Sequence, residues 1–346
     1  MTDITKYKGK GLSGMANLGN TCFINSCMQV LSHTYKLNDL LNDKNLINKL
    51  NKAPDTLLIL EWNNLRKLLW DNNCVINPVK WITTIHKVAK IKGALLFTQY
   101  SQNDSHEFLL FLIDCFHTSL KRDVEMNIKG NAKCNQDKLA LSCYKMIKNL
   151  YENEYSEIIN IFFGIHVSQL SNINDNNILS YNPEPYFNID IPIPDLKNVS
   201  IIDCLNLYTE YEILDGDNQW YNEDIKEKMD VKKNIVFWSF PEIFIVTFKR
   251  FKNNLKKNQK YIDFPLINLN LSEYVKGYEK DTYIYDLYGI INHSGGLSGG
   301  HYWSYIKNAN DKWYTFNDTI VKEMPDLNKL KTTNAYCLFY KKKKIN

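Results

Sequence analysis

The sequence predicts an α+β domain, on three observations. Apolar residues recur at three- and four-residue spacings through the first 150 or so positions and then give way to β-branched and aromatic runs. No internal repeat and no Pro/Gly/Ser-rich linker divides the chain. The 346 residues, 44% hydrophobic and 13% aromatic, are enough for a substantial core. The helical spacing covers 22–33, 57–70, 105–120 and 139–150. From about residue 158 the pattern predicts strands over 158–167, 235–251, 283–292, 301–307, 312–316 and 335–340. Helices first and strands later give segregated α and β layers.

Charge selects no partner. Forty-two Lys and Arg against thirty-eight Asp and Glu leave +4, too small an excess for nucleic-acid or anionic-membrane binding. The N-terminal stretch lacks the apolar core of a signal peptide, and no eighteen consecutive apolar residues occur, so the expectation is a soluble, monomeric, intracellular protein of cytoplasm or nucleus. Eight cysteines with no CxxC pair fit reduced thiols better than a disulfide framework. The Asn-rich run at 172–177 is a compositional bias, and the four lysines at 341–344 read as a solvated tail.

Glycine marks two places. Eight of the fourteen fall at 9, 11, 14, 19 and at 295, 296, 299, 300; the first group leads into Cys22 and the second into His301. Glycine is used where backbone must approach a ligand closely. Around Cys22, Asn20 and Thr21 supply helix N-cap chemistry, and Phe23, Ile24, Cys27, Met28 and Leu31 form an apolar helical face. Cys22 then sits in the first turn, where the helix dipole and free N–H groups are expected to lower its thiol pKa. The same N–H groups can face an oxyanion, with the Asn17 amide as a second donor. Cys27 is expected in the core.

The second group opens a hairpin. With a five-residue loop at 307–311, Ile306 faces Lys312 and His301 faces Asn317, close enough for the Asn carbonyl to accept from the imidazole. That would orient a base whose other nitrogen takes the Cys22 proton. A one-residue slip would bring Asp318 into play instead, so the third member is either Asn317 or Asp318. His293 opens the glycine loop, with a structural and a functional role equally open; His33, His86, His117 and His166 read as structural.

Three blocks carry a family likeness: GLSGMANLGNTCFINSCMQVL at 11–31, YSQNDSHEFLLFLI at 100–113, and NHSGGLSGGHYWSYIKN with KWYTFNDTIV across 292–321. In order and spacing the chain resembles the ubiquitin-specific proteases, a family of cysteine deubiquitinases. The resemblance implies a papain-like right-hand fold and hydrolysis of the bond after the C-terminal glycine of ubiquitin, with ubiquitin and ubiquitinated proteins as partners. It implies an N-terminal extension over 1–10 and a catalytic domain over 11–341, divided into a helical thumb (about 11–155), β fingers (about 156–250) and a β palm (about 251–341), followed by a basic tail over 342–346. By motif position Cys22 is nucleophile, His301 general base and acid, Asn317 the orienting residue, with Asp318 as its alternative, and Asn17 the oxyanion donor. Gln102, Asp104 and Glu107 belong to the block that lines the channel for the ubiquitin tail; the same block also reads as an amphipathic helix with Phe108, Leu109, Phe111 and Leu112 in the core. His293, Gly299, Gly300 and Tyr302 are the remaining substrate-side candidates, and loops 253–259 and 293–298 would cover the tail. Many family members hold zinc with two CxxC pairs in the fingers; this chain reads IHVSQL after Gly164 and YNED at Tyr221, so no metal and no cofactor are expected. A catalytically silent ubiquitin-binding scaffold of the same fold is the alternative.

Overall fold

Residues 4–251, 256–296 and 299–344 are described by a computed structural model. Among them, eight helices precede the first long strand: α1 (Cys22–Ser32), α2 (Tyr35–Asn42), α3 (Lys44–Ile47), α4 (Thr56–Asp71), α5 (Val79–Lys92), α6 (Ser105–Leu120), α7 (Asn135–Tyr151) and α8 (Glu157–Phe162). A ninth, α9 (Ile201–Thr209), lies between strands. The α+β architecture and the four expected helices are present. Helix α5 was legible but unread: Trp81, Ile82, Ile85, Val88 and Ala89 are buried at helical spacing, and Gly93 ends the helix in a left-handed conformation, φ 71°.

Two strand expectations need correction. Residues 158–162 belong to α8, because Ile158, Ile159, Ile161 and Phe162 bury one helical face, and only from Gly164 does the chain become extended. The run 235–251 breaks at Phe240-Pro241 into Val231–Ser239 and Ile243–Phe248, a proline being unable to donate to a sheet ladder.

The strands form two main sheets. A four-stranded antiparallel sheet runs Ile178–Tyr186, Gly164–Asn172, Val231–Ser239, Glu212–Leu214. An eight-stranded sheet runs Ile320–Glu323, Trp313–Asn317, Gly299–Lys307, Ile284–Gly296, Ala335–Lys342, Ile243–Phe248, Asn188–Ile191, with Leu269–Asn270 paired onto Ile284–Gly296. Two of its strands come from inside 156–250. The last long strand continues through Lys342, so Lys341 and Lys342 are part of the sheet and not of a free tail.

The helical half meets the larger sheet through α1, whose eleven residues are all buried. The sequence shows one apolar face; the polar residues opposite are buried too, each with a local partner, as where Gln29 Nε2 donates to the Ser13 carbonyl at 2.8 Å and Ser32 Oγ to the Gln29 carbonyl at 2.8 Å. Phe23 packs edge-on against Phe108 of α6, ring centroids 5.6 Å apart. Burial of Phe108, Leu109, Leu112, Ile113 and Phe116 contributes about 1.5–3 kcal/mol per side chain. Arg250, fully buried, donates from Nε to the Ala335 carbonyl at 2.7 Å and from Nη1 to the carbonyls of Asn258 and Lys260 at 3.0 and 2.9 Å, tying the segment after Ile243–Phe248 to the sheet. Burial pulls its pKa down to about 10, so it remains a cation held by carbonyl dipoles.

Asp55, Asp114 and Cys115 converge in the helical half, and the Lys92 ammonium sits between the two carboxylates at 2.6 and 3.0 Å. The place between the carboxylates is thus taken by an internal cation.

Gly14–Met15 pairs in parallel with Val75–Ile76 and lies against the turn at Thr319, where a Cβ on Gly14 would stand 2.4 Å from the Thr319 carbonyl oxygen. Gly14→Ala is therefore expected to push the Asn17 loop off that turn and to destabilise the fold by about 1–3 kcal/mol, read as a lower urea midpoint at unchanged m-value.

Candidate active site

Cys22 is the first residue of α1 and is 4% exposed. The expected Thr21 side-chain cap is not made. Its Oγ1 instead accepts the Leu18 N–H at 3.0 Å and donates to Asn17 Oδ1 at 3.3 Å, stiffening the loop before the helix. The lowered thiol pKa expected from the helix start is also overturned. Burial pushes the Cys22 thiol up and the Asp318 carboxylate adds to it, while the N–H groups of Tyr302, Phe23 and Cys22 itself offset only part of the rise. The balance favours the thiol over the thiolate. Cys27 is fully buried.

Tyr302, which lines one cleft with Cys22, follows His301 in the strand Gly299–Lys307. His301 Nε2 and Asn317 Oδ1 are 2.7 Å apart, so the Asn oxygen fixes the tautomer with Nε2 as donor and leaves Nδ1 as acceptor. The register differs from the expected one: Ile306 pairs with Tyr314 and Lys307 with Trp313, a slip of two. An even slip preserves the face, so Asn317 reaches the imidazole from a diagonal position. Asp318 turns the other way, with φ 49°, and its carboxylate accepts Asn17 Nδ2 at 3.0 Å and Asn25 Nδ2 at 2.8 Å. Asn17 Oδ1 accepts the N–H groups of Gly19 and Thr21, both at 3.1 Å, which assigns the amide orientation without ambiguity.

A narrow cleft runs from Cys22 between Gln102, Asp104, His293, Gly299, Gly300 and Tyr302. Gln102 spans it: Oε1 accepts the Gly300 N–H at 2.8 Å and Nε2 donates to Asn20 Oδ1 at 3.3 Å. Asp104 caps α6 by accepting the His106 N–H at 2.7 Å, a contact worth about 1 kcal/mol. Its second oxygen accepts the hydroxyls of Tyr302 at 3.2 Å and Tyr336 at 2.7 Å, joining the helical half to the sheet. Glu107 is exposed on the first turn of α6 and does not line the cleft. A Cβ on Gly300 would lie 2.3 Å from both His293 Nε2 and the Ser294 carbonyl, so a side chain there would split the wall. His293 stacks on Tyr302 at 4.4 Å, and its Nδ1 is 3.2 Å from Lys257 Nζ. Burial first, then Lys257, pulls the His293 pKa down to about 4, so the ring is neutral and accepts; burial and Arg250 bring Lys257 to about 8. Of the two covering loops expected over 253–259 and 293–298, residues 253–255 and 297–298 lie outside the described residues.

Sequence reasoning missed several of these groups. Asn25 has one visible signal, a polar residue three positions after Cys22 inside an apolar helix. Tyr336, whose hydroxyl donates to Asp104, comes from a distant strand with no local cue.

Residues 13–340 match the family model described as ubiquitin carboxyl-terminal hydrolase. The chain belongs to that family. It is 32% identical over 343 residues to ubiquitin carboxyl-terminal hydrolase 2 of Homo sapiens, an alignment spanning 96% of this chain and 55% of the human protein. Against ubiquitin carboxyl-terminal hydrolase 2 of Gallus gallus it is 31% identical over 346 residues, 96% of this chain and 93% of the relative. The chain thus spans about half the length of the human relative. Among solved structures, the SAGA Ubp8/Sgf11/Sus1/Sgf73 DUB module bound to ubiquitin aldehyde superposes with a TM-score of 0.74 at 24% identity, over 97% of this chain and 70% of that one. The fold is shared with that structure.

Asp318→Asn removes the carboxylate that raises the Cys22 thiol. Alkylation of Cys22 by iodoacetamide, followed by peptide mass spectrometry at pH 7.5, is expected to speed up roughly two- to tenfold, with the exposed Cys74 and Cys134 as unchanged internal controls.

Proposed function

We propose that this chain is a thiol-dependent deubiquitinase that hydrolyses the peptide or isopeptide bond after the C-terminal glycine of ubiquitin. The observation that carries the reading is the His301–Asn317 bond at 2.7 Å on the strand whose next residue, Tyr302, lines the same cleft as Cys22. His301 Nδ1 takes the Cys22 proton as the sulfur attacks the glycyl carbonyl carbon. Because the resting thiol is held protonated, charge forms only as the attack proceeds. The oxyanion accepts from the Cys22 N–H and from the second N–H of Asn17 Nδ2, whose first is held by Asp318. His301 then returns the proton to the departing amine as the C–N bond breaks, leaving a thioester. Water, deprotonated by the same imidazole, releases the carboxylate and restores the thiol.

The cleft supports this choice of substrate. A Cβ on Gly299 would stand 3.0 Å from Gln102 Oε1, a tight approach that suits a tail ending in two glycines, and Gln102, Asp104, His293, Gly299 and Tyr302 line its path. Glu107, exposed nearby on α6, offers a carboxylate to a basic residue farther along the tail. In this reading residues 11–341 form the catalytic domain, ubiquitin and its conjugates are the partners, the chain acts as a monomer with no cofactor, and its site of action is intracellular.

Wild-type chain is expected to form a covalent adduct at Cys22 with a ubiquitin probe carrying a C-terminal electrophile, and to turn over a ubiquitin C-terminal fluorophore. Cys22→Ala should abolish both while retaining ubiquitin binding by titration calorimetry, and Asn317→Ala should lower kcat about 10- to 100-fold. Reversible binding by the wild type with no adduct and no turnover would instead identify a silent ubiquitin-binding scaffold.

A further inference from the structure

Asn25 lies one helical turn beyond Cys22, 2% exposed, and its side chain does not line the cleft. Its Nδ2 donates to Asp318 Oδ1 at 2.8 Å and lies 3.3 and 3.4 Å from the carbonyls of Ala16 and Met15. Three acceptors surround that nitrogen, so the opposite amide orientation would set oxygen against oxygen, and the orientation is fixed. Its Oδ1, by contrast, is buried with no hydrogen-bond partner among the described residues. The unpaired acceptor is offset by what Nδ2 donates to, and an aliphatic side chain in its place would leave the Asp318 carboxylate without this donor. The amide's use is to hold Asp318.

The use is visible one bond further on. Asp318 divides its two oxygens, Oδ1 to Asn25 behind and Oδ2 to Asn17 in front at 3.0 Å. Its backbone oxygen also accepts the Met15 N–H at 2.9 Å, so the turn and the Asn17 loop move as one. With Asn25 donating, the carboxylate is held in place, and Asn17 keeps one Nδ2 hydrogen on Asp318 and the other uncommitted among the described residues.

We propose that Asn25 is a positioning residue of the reaction, acting through Asp318 to aim the Asn17 amide at the oxyanion. The proposal rests on the reaction described under Proposed function. Loss of an oxyanion donor costs about 10²–10³ in kcat, so loosening one should cost less. Asn25→Leu is expected to lower kcat on the ubiquitin fluorophore about tenfold with KM changed less than about twofold. The loss should shrink to less than about threefold in an Asn17→Ala background and persist in full in an Asn317→Ala background. Asn25→Ser, which keeps a small hydroxyl donor at this place, should lose less than the Leu variant, and ubiquitin binding by titration calorimetry, retained in both, guards against a folding failure. The same fold loss in all three backgrounds, or an unchanged kcat, would overturn the role of Asn25 while leaving the reaction intact. A wild-type chain with no turnover would overturn the reaction itself and this role with it.

Discussion

Cys22 and Tyr302 meet at one cleft because α1 is clamped along its whole length between helix α6 and the eight-stranded sheet. A helix buried on every side has no freedom to slide or turn, so its first residue is delivered to one place on the Gly299–Lys307 strand. Everything else at the site is arranged around that fixed point. The Asn17 loop is pressed onto the Thr319 turn through Gly14, and Asp104 anchors the start of α6 to two tyrosines of the sheet.

Electrostatics follow from the same burial. A sulfur withdrawn from water and placed near Asp318 is kept neutral, and three N–H groups around it do not fully offset that cost. His293 is likewise held neutral, so the positive charge beside the cleft resides on Lys257 and Arg250. The helix dipole argument fails for a reason visible only in three dimensions: the dipole acts on a thiol, but desolvation acts more strongly.

Much of this was legible in the chain. The helices at α1, α4, α6 and α7 follow from apolar spacing, and the pairing of His301 with Asn317 follows from hairpin geometry even though the loop closes one residue later on each side. Parity protects such a reading, since a slip of two leaves both residues on one face. Two kinds of feature stayed hidden. Short elements such as α8 were masked by β-branched composition, because Ile158, Ile159 and Ile161 read as strand until tertiary burial selects the helical face. Long-range polar contacts were hidden for a different reason: Asp318 meets Asn25 and Asp104 meets Tyr336 across most of the sequence, and nothing local encodes them.

The Gln102 side chain, lying between Asn20 and Gly300, mimics a peptide group lodged in the groove. A polypeptide carbonyl set on the Gly300 N–H would take the place that the Gln102 oxygen holds. The exchange is close to neutral in hydrogen bonding. Net affinity therefore has to arise from surface buried elsewhere on the guest, and short peptides lacking a folded body would be poor competitors for the groove.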